Sequence, residues 1–127
     1  MYYLIDTHVL IWYLDGNKKL PEKIREIVTY EDNEIAVSVA SLWELAIKIS
    51  NGKFDSKLSL KEIQSHILER QFTLLSISYE HLNTLTLLPY HHGDPFDRLL
   101  IAQAITENVA IISIDKHFKS YPANVIL

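Results

Sequence analysis

Apolar positions along this chain follow two rhythms. Short unbroken apolar runs alternate with longer stretches in which apolar residues recur every three or four positions. The short runs are Tyr2–Ile5 (YYLI), Glu34–Ser38 (EIAVS), Thr73–Ile77 (TLLSI), Val109–Ile114 (VAIISI) and the final NVIL, and each predicts a strand. Between them lie helical patterns. Residues 8–14 fit a short helix, stopped near Asp15, Gly16 and Asn17. Pro21 suits the first turn of a helix through about Tyr30, with Ile24, Ile27 and Val28 on one face. ASLWELAIKIS predicts a strongly apolar helix ending near Asn51 and Gly52. Ser59 to Glu62 has the spacing of a capping box, and Leu60, Ile63, Ile67 and Leu68 form the stripe behind it. SYEHLNTLTLL predicts a helix begun by Ser78 and ended before Pro89. The last helix runs from Pro95 to about Glu107, with Asn108 as a left-handed stop.

Strands that alternate with helices, and that are apolar on both sides, predict an α/β fold. The expected form is a mostly parallel sheet covered by helices on both faces, with right-handed crossovers. At 127 residues, nearly half of them apolar, one domain over residues 1–127 is expected. The net charge of −4 gives no polybasic signature, although local patches matter more than the total for binding nucleic acid. The absence of cysteine excludes disulfides and thiolate–zinc sites and fits a cytoplasmic location. The apolar start is broken by Asp6 and His8 and lacks a basic leader, so neither a signal peptide nor a membrane span is expected.

The topology gathers acids. In such folds ligands bind at the carboxyl ends of the strands. Asp6 ends the first strand and Asp115 ends VAIISI. Glu44 lies near the start of the helix that follows EIAVS, at the same edge. A helix that precedes a parallel strand runs antiparallel to it, so the helix from Pro95 brings Asp94 and Asp97 there too. If the strands of Asp6 and Asp115 are neighbours, their backbones lie ~4.8 Å apart. Spacing alone leaves that adjacency open.

Taken singly, each acid has a structural explanation. Asp94 before Pro95 is an ordinary helix start. Asp97 at the third helical position gains from the helix dipole. Glu44 could pair with Lys48 or form a capping box with Ser41. Asp6 and Asp115 could cap short helices. Taken together, the structural explanation weakens. Clustered carboxylates repel and raise one another's pKa unless a cation holds them, and hard divalent cations take such oxygen ligands. Asp94 is therefore assigned to the helix and Asp97 to a metal.

Four blocks carry a resemblance: LIDTHVLIW, VSVASLWELAIK followed by NGK, HHGDPFDRLLIAQA and IISIDKHF. In this order and spacing the chain resembles the PIN domain, and within it the VapC-type ribonuclease toxins of toxin–antitoxin pairs. The resemblance implies a three-layer sandwich around a parallel five-stranded sheet of order 3-2-1-4-5. It implies an acidic quartet at Asp6, Glu44, Asp97 and Asp115, with Thr7 and Ser113 at supporting hydroxyl positions. Asp94 lies outside the quartet. The implied activity is Mg²⁺-dependent, or Mn²⁺-dependent, cleavage of RNA phosphodiesters. Asp6 and Asp97 are expected as direct metal ligands, with Glu44 and Asp115 completing the pocket. The ion would activate water and offset phosphate charge. A homodimer and an antitoxin, inserting an Arg among the carboxylates, are the implied partners.

Arg98 and Lys116, each directly after a site acid, are candidate phosphate contacts. Trp12, Tyr13 and Trp43 are read as core or interface before base stacking, and His91 and His92 as solvated loop residues. Two other classes share an acidic α/β pocket. A receiver domain wants a second acid after the first strand and an Asp after the third. Here Thr7 and Ser78 stand near those places. An aspartyl phosphatase wants D-x-D, and DTH departs from it. A PIN-fold protein that only binds a partner stays open, and an activity assay separates it.

Overall fold

A computed structural model describes residues 1–126. In chain order it contains β1 (Tyr2–Ile5), α1 (Thr7–Asp15), α2 (Glu22–Thr29), β2 (Glu34–Ser38), α3 (Val39–Ser50) and α4 (Leu60–Glu69). There follow β3 (Thr73–Leu75), α5 (Tyr79–Leu87), α6 (Pro95–Glu107), β4 (Ala110–Ile112), a 3-10 helix (Lys116–Ser120) and β5 (Val125–Ile126). The strands form one parallel sheet in the order β3-β2-β1-β4-β5. β1 is therefore central and pairs with β4, Ile5 opposite Ile112. The adjacency that spacing left open is present.

Alternation along the strands explains their unbroken apolar character. Tyr3, Ile5, Ile35, Val37 and Ile112 face one layer, where they meet Val9, Leu10, Ile24, Leu45 and Ile63 from four helices. Leu4, Ala36 and Ile111 face the other, packed against Leu100, Ile101 and Ala104 of α6 and against Phe118. Leu4, Ile5 and Ile111 are fully buried, and burial of each such side chain contributes about 1.5–3 kcal/mol. No helix among the described residues is long and apolar enough to cross a membrane.

Local signals place most boundaries. Gly16 closes α1 at φ 64° and Asn108 closes α6 at φ 54°, both left-handed. The Ser59–Glu62 capping box forms in both directions. Three expectations are corrected. β3 stops at Leu75 instead of Ile77, because it is an edge strand with Leu74 half exposed. β4 is shorter than Val109–Ile114: Val109 still completes the stop of α6, and after Ile112 the chain turns at Ser113, whose Oγ accepts from the Asp115 amide. No Ser41–Glu44 capping box forms: Ser38 caps α3, and Glu44 pairs with Lys48 at 3.1 Å. Of the expected final strand NVIL, Val125–Ile126 is observed and Leu127 lies outside the described residues.

Candidate active site

The site begins where β1 and β4 end side by side. Asp6 is the N-cap of α1 and accepts a hydrogen bond from the Val9 amide at 2.8 Å. Its other oxygen accepts from the Ser113 hydroxyl at 2.6 Å, and its own amide donates to Ile112 O. The same Ser113 Oγ accepts from the Asp115 amide at 2.9 Å. One hydroxyl thus ties the residue after β1 to the loop after β4. Asp115 in turn caps the 3-10 helix, accepting from the His117 amide, with His117 Nδ1 also 2.9 Å from Oδ1.

Asp94 accepts from the Phe96 and Asp97 amides, at 2.9 and 3.0 Å, and so starts α6. Pro95 occupies the first turn, where its missing N–H costs nothing. That start sets Asp97 one turn in, where its Oδ2 meets His92 Nε2 at 3.0 Å. His92 Nε2 is also 3.4 Å from Asp115 Oδ2, so one imidazole spans two acids from different elements. Glu44 comes from the second turn of α3 and is buried. Its Oε2 pairs with Lys48, while its Oε1 is buried and has no hydrogen-bond partner among the described residues.

The electrostatics follow from this crowding. Burial pushes the Asp6 carboxyl up to about 6, against the pull of the Ser113 and Val9 bonds, and the charges of Asp115 and Glu44 add to the rise. Asp97 is pushed up to about 6 by burial, then by Asp94, Asp6 and Glu44, with His92 opposing. These mutual influences show that carboxyls from four elements share one field. Asp115 is partly buried, which favours its neutral form, yet bonds from His117 and the positive charge of His117 and His92 hold its pKa below the ordinary value.

This donor set fits a hard divalent cation. It is negative, rich in oxygen and partly enclosed. Glu44 Oε1 decides the point, since a buried acceptor left unpaired costs about 1–3 kcal/mol unless something electropositive meets it.

The supporting residues divide. Thr7 is buried and donates to Ser41 Oγ at 3.0 Å, bracing α1 against α3. Lys116 is exposed on the 3-10 helix, open to a ligand. Arg98 is turned inward, which corrects its reading as a phosphate contact. Its guanidinium donates to Pro89 O and Tyr121 Oη and stacks 4.0 Å from the Tyr90 ring centroid. Trp12 and Tyr13 pack against the core. Trp43 is more than half exposed and meets Phe96 edge-on at 5.0 Å, so it belongs to the surface beside α6 and not to the core. His91 packs its ring on Tyr121, and its amide donates to Tyr121 Oη.

His92, read from the sequence as a solvated loop residue, is instead held between Asp97 and Asp115, and the sequence reading passed over His117. The available signal was proximity in the chain: His92 lies five residues before Asp97 and His117 two after Asp115. It also passed over a cleft beside Thr7, lined by Trp12, Asn17, Lys48 and Lys53, of which Lys48 pairs with Glu44.

Comparison with known proteins agrees with this architecture. Ribonuclease VapC22 of Mycobacterium tuberculosis (strain ATCC 25618 / H37Rv) is 26% identical over 119 residues, covering 93% of this chain and 90% of the relative. VapBC2 from Rickettsia felis, solved bound to a DNA fragment from its promoter, superposes with a TM-score of 0.73 at 22% identity, covering 100% of this chain and 97% of that one. FitAcB from Neisseria gonorrhoeae gives 0.68 at 14% identity, covering 98% and 96%. The PIN domain family model matches residues 3–124. With its strand order and gathered carboxylates, the chain belongs to the PIN domain family.

Proposed function

We propose that this chain is a divalent-metal-dependent endoribonuclease and the toxin of a toxin–antitoxin pair. The observation that carries the nuclease reading is the orphaned, buried Glu44 Oε1 facing the same field as Asp6 and Asp97. Asp6 and Asp97 are the proposed direct ligands of Mg²⁺ or Mn²⁺, with Glu44 and Asp115 completing the shell. When bound, the ion supplies Lewis acidity that makes water a competent nucleophile near neutral pH and offsets charge developing on phosphate.

The residues of the chain do the rest. Ser113 and the Val9 amide orient the Asp6 carboxylate. The Asp94 cap sets the reach of Asp97 from α6. Lys48, Lys53 and Lys116 supply positive charge for the flanking phosphates, which an acidic pocket would otherwise repel. Trp43 offers an exposed ring for a base. RNA is the proposed substrate because VapC22, similar over nearly the whole chain, is a ribonuclease. A homodimer bound by an antitoxin is the proposed assembly. The antitoxin is supported by the VapBC structures and by the toxin–antitoxin complex from Klebsiella pneumoniae, which superposes at a TM-score of 0.65; the homodimer rests on the family resemblance.

The test is cleavage of total cellular RNA with Mg²⁺ or Mn²⁺. EDTA is expected to abolish it. Asp6→Asn and Asp97→Asn are expected to lower it by about two orders of magnitude or more, with melting intact. Undiminished cleavage in EDTA, or in both folded variants, removes the proposal.

A further inference from the structure

We propose that His92 is a nitrogen ligand of the cation site, giving this chain a mixed imidazole–carboxylate shell that favours Mn²⁺ over Mg²⁺. The inference rests on the cation site proposed above and adds to it a residue that lies outside the acidic quartet.

The geometry is that of neighbouring ligands. His92 Nε2, a carboxylate oxygen of Asp97 and one of Asp115 all lie within 4.8 Å of one another. The nitrogen stands 3.0 Å from Asp97 Oδ2 and 3.4 Å from Asp115 Oδ2. Two ligands at right angles about an ion with ~2.1 Å bonds are ~3 Å apart. The nitrogen therefore already stands at the spacing of a corner next to each carboxylate oxygen. Nε2 reaches Asp97 by a hydrogen bond, and the same nitrogen offers its lone pair to a cation when the ring proton is on Nδ1.

The ring is held for this. His92 is only partly exposed, and its ring lies 5.3 Å from that of His117, which is itself tied to Asp115 Oδ1 at 2.9 Å. Beside this group Glu44 Oε1 is buried with no hydrogen-bond partner among the described residues, and the charge of Glu44 acts on Asp97. The consequence is selectivity. Mg²⁺ holds to oxygen and sheds water reluctantly, whereas an imidazole is a better ligand for transition ions.

Pulsed electron paramagnetic resonance of one equivalent of Mn²⁺ on the full chain tests this directly. The wild type is expected to show ¹⁴N modulation from one coordinated imidazole. The signal is expected to vanish in His92→Ala and to persist in His117→Ala. By calorimetry, His92→Ala is expected to weaken Mn²⁺ binding about tenfold or more and Mg²⁺ binding by less, narrowing the Mn²⁺/Mg²⁺ preference. Mn²⁺ bound to the wild type with no nitrogen coupling overturns the inference and leaves the carboxylate site standing. Nitrogen coupling that survives His92→Ala, or Mn²⁺ binding that tightens in that variant, also overturns it; tightening makes the imidazole a stand-in that the ion must expel. No Mn²⁺ binding to the wild type, or binding indifferent to Asp6→Asn and Asp97→Asn, removes the underlying site as well.

Discussion

Ser113 serves two site residues with one oxygen. It donates to Asp6 and accepts from the Asp115 amide, so removing it loosens both sides of the site together. Ser113→Ala is expected to cost about 1–2 kcal/mol in denaturant unfolding, since Asp6 loses a buried partner. Cation affinity is expected to fall about tenfold or more, because an orienting bond is gone. Calorimetry with unchanged affinity would show that Asp6 is aimed without it. Arg98 makes the complementary case. Arg98→Lys is expected to lower stability by about 1–2 kcal/mol, because a lysine cannot serve Pro89 O, Tyr121 Oη and the Tyr90 face at once. The KM for RNA is expected to stay within about threefold, and a large rise with normal melting would return Arg98 to the substrate. At this scale the sequence showed which residue types were available and not which way they face. Successive residues on a helix diverge by ~100°, so the neighbour of Asp97 looks into the core while Asp97 looks toward His92.

The start of α6 joins structure and charge in four residues. Asp94 Oδ1 accepts two amides, and the same carboxylate helps to raise Asp97. The two roles separate by substitution. Asp94→Ser keeps an N-cap acceptor and removes the charge; unfolding is expected within about 0.5 kcal/mol of wild type and RNA cleavage within about threefold. Asp94→Ala is expected to cost about 1 kcal/mol through the lost cap. A large loss of activity in Asp94→Ser at normal stability would give Asp94 a direct part in the chemistry. Elements of this kind were legible because their signals are local: Asp94 with Pro95, the Ser59–Glu62 box, Gly16 and Asn108 each act within a turn. Strand ends were less legible. β3 and β4 stop where tertiary partners take over, at an open sheet edge and at the hook of Ser113, and neither is written in the run of apolar residues.

At the scale of the whole molecule, gathering acids at one sheet edge opposes folding, and the sign of the opposition is testable. Asp6 is almost fully buried and its pKa rises to about 6 in the folded chain, above the ordinary value near 3.9 when unfolded. Between these values the folded state binds more protons. The stabilising contribution is complete below about pH 4 and is lost as pH rises through about 6, amounting to roughly 2–3 kcal/mol. Asp97 shifts in the same direction and contributes less, being partly solvated. Asp115, held low, works the other way: its contribution is present at neutral pH and disappears as acid titrates it. A divalent cation binds the deprotonated form, so it is expected to restore at high pH what ionisation removes, adding about 2.7 kcal/mol at a concentration near 100 Kd. Melting in EDTA is therefore expected to weaken from about pH 5 to about pH 8, and excess Mn²⁺ to raise Tm more at about pH 8 than at about pH 5. The decisive comparison is with Asp6→Asn, which changes this one carboxyl and keeps every other ionisable group. That variant is expected to flatten the slope in EDTA, to melt at or above the wild type near pH 8, and to lose most of the Mn²⁺ stabilisation. An Asp6→Asn protein that keeps the wild-type slope and the full Mn²⁺ response would mean that Asp6 neither carries the raised proton nor holds the ion.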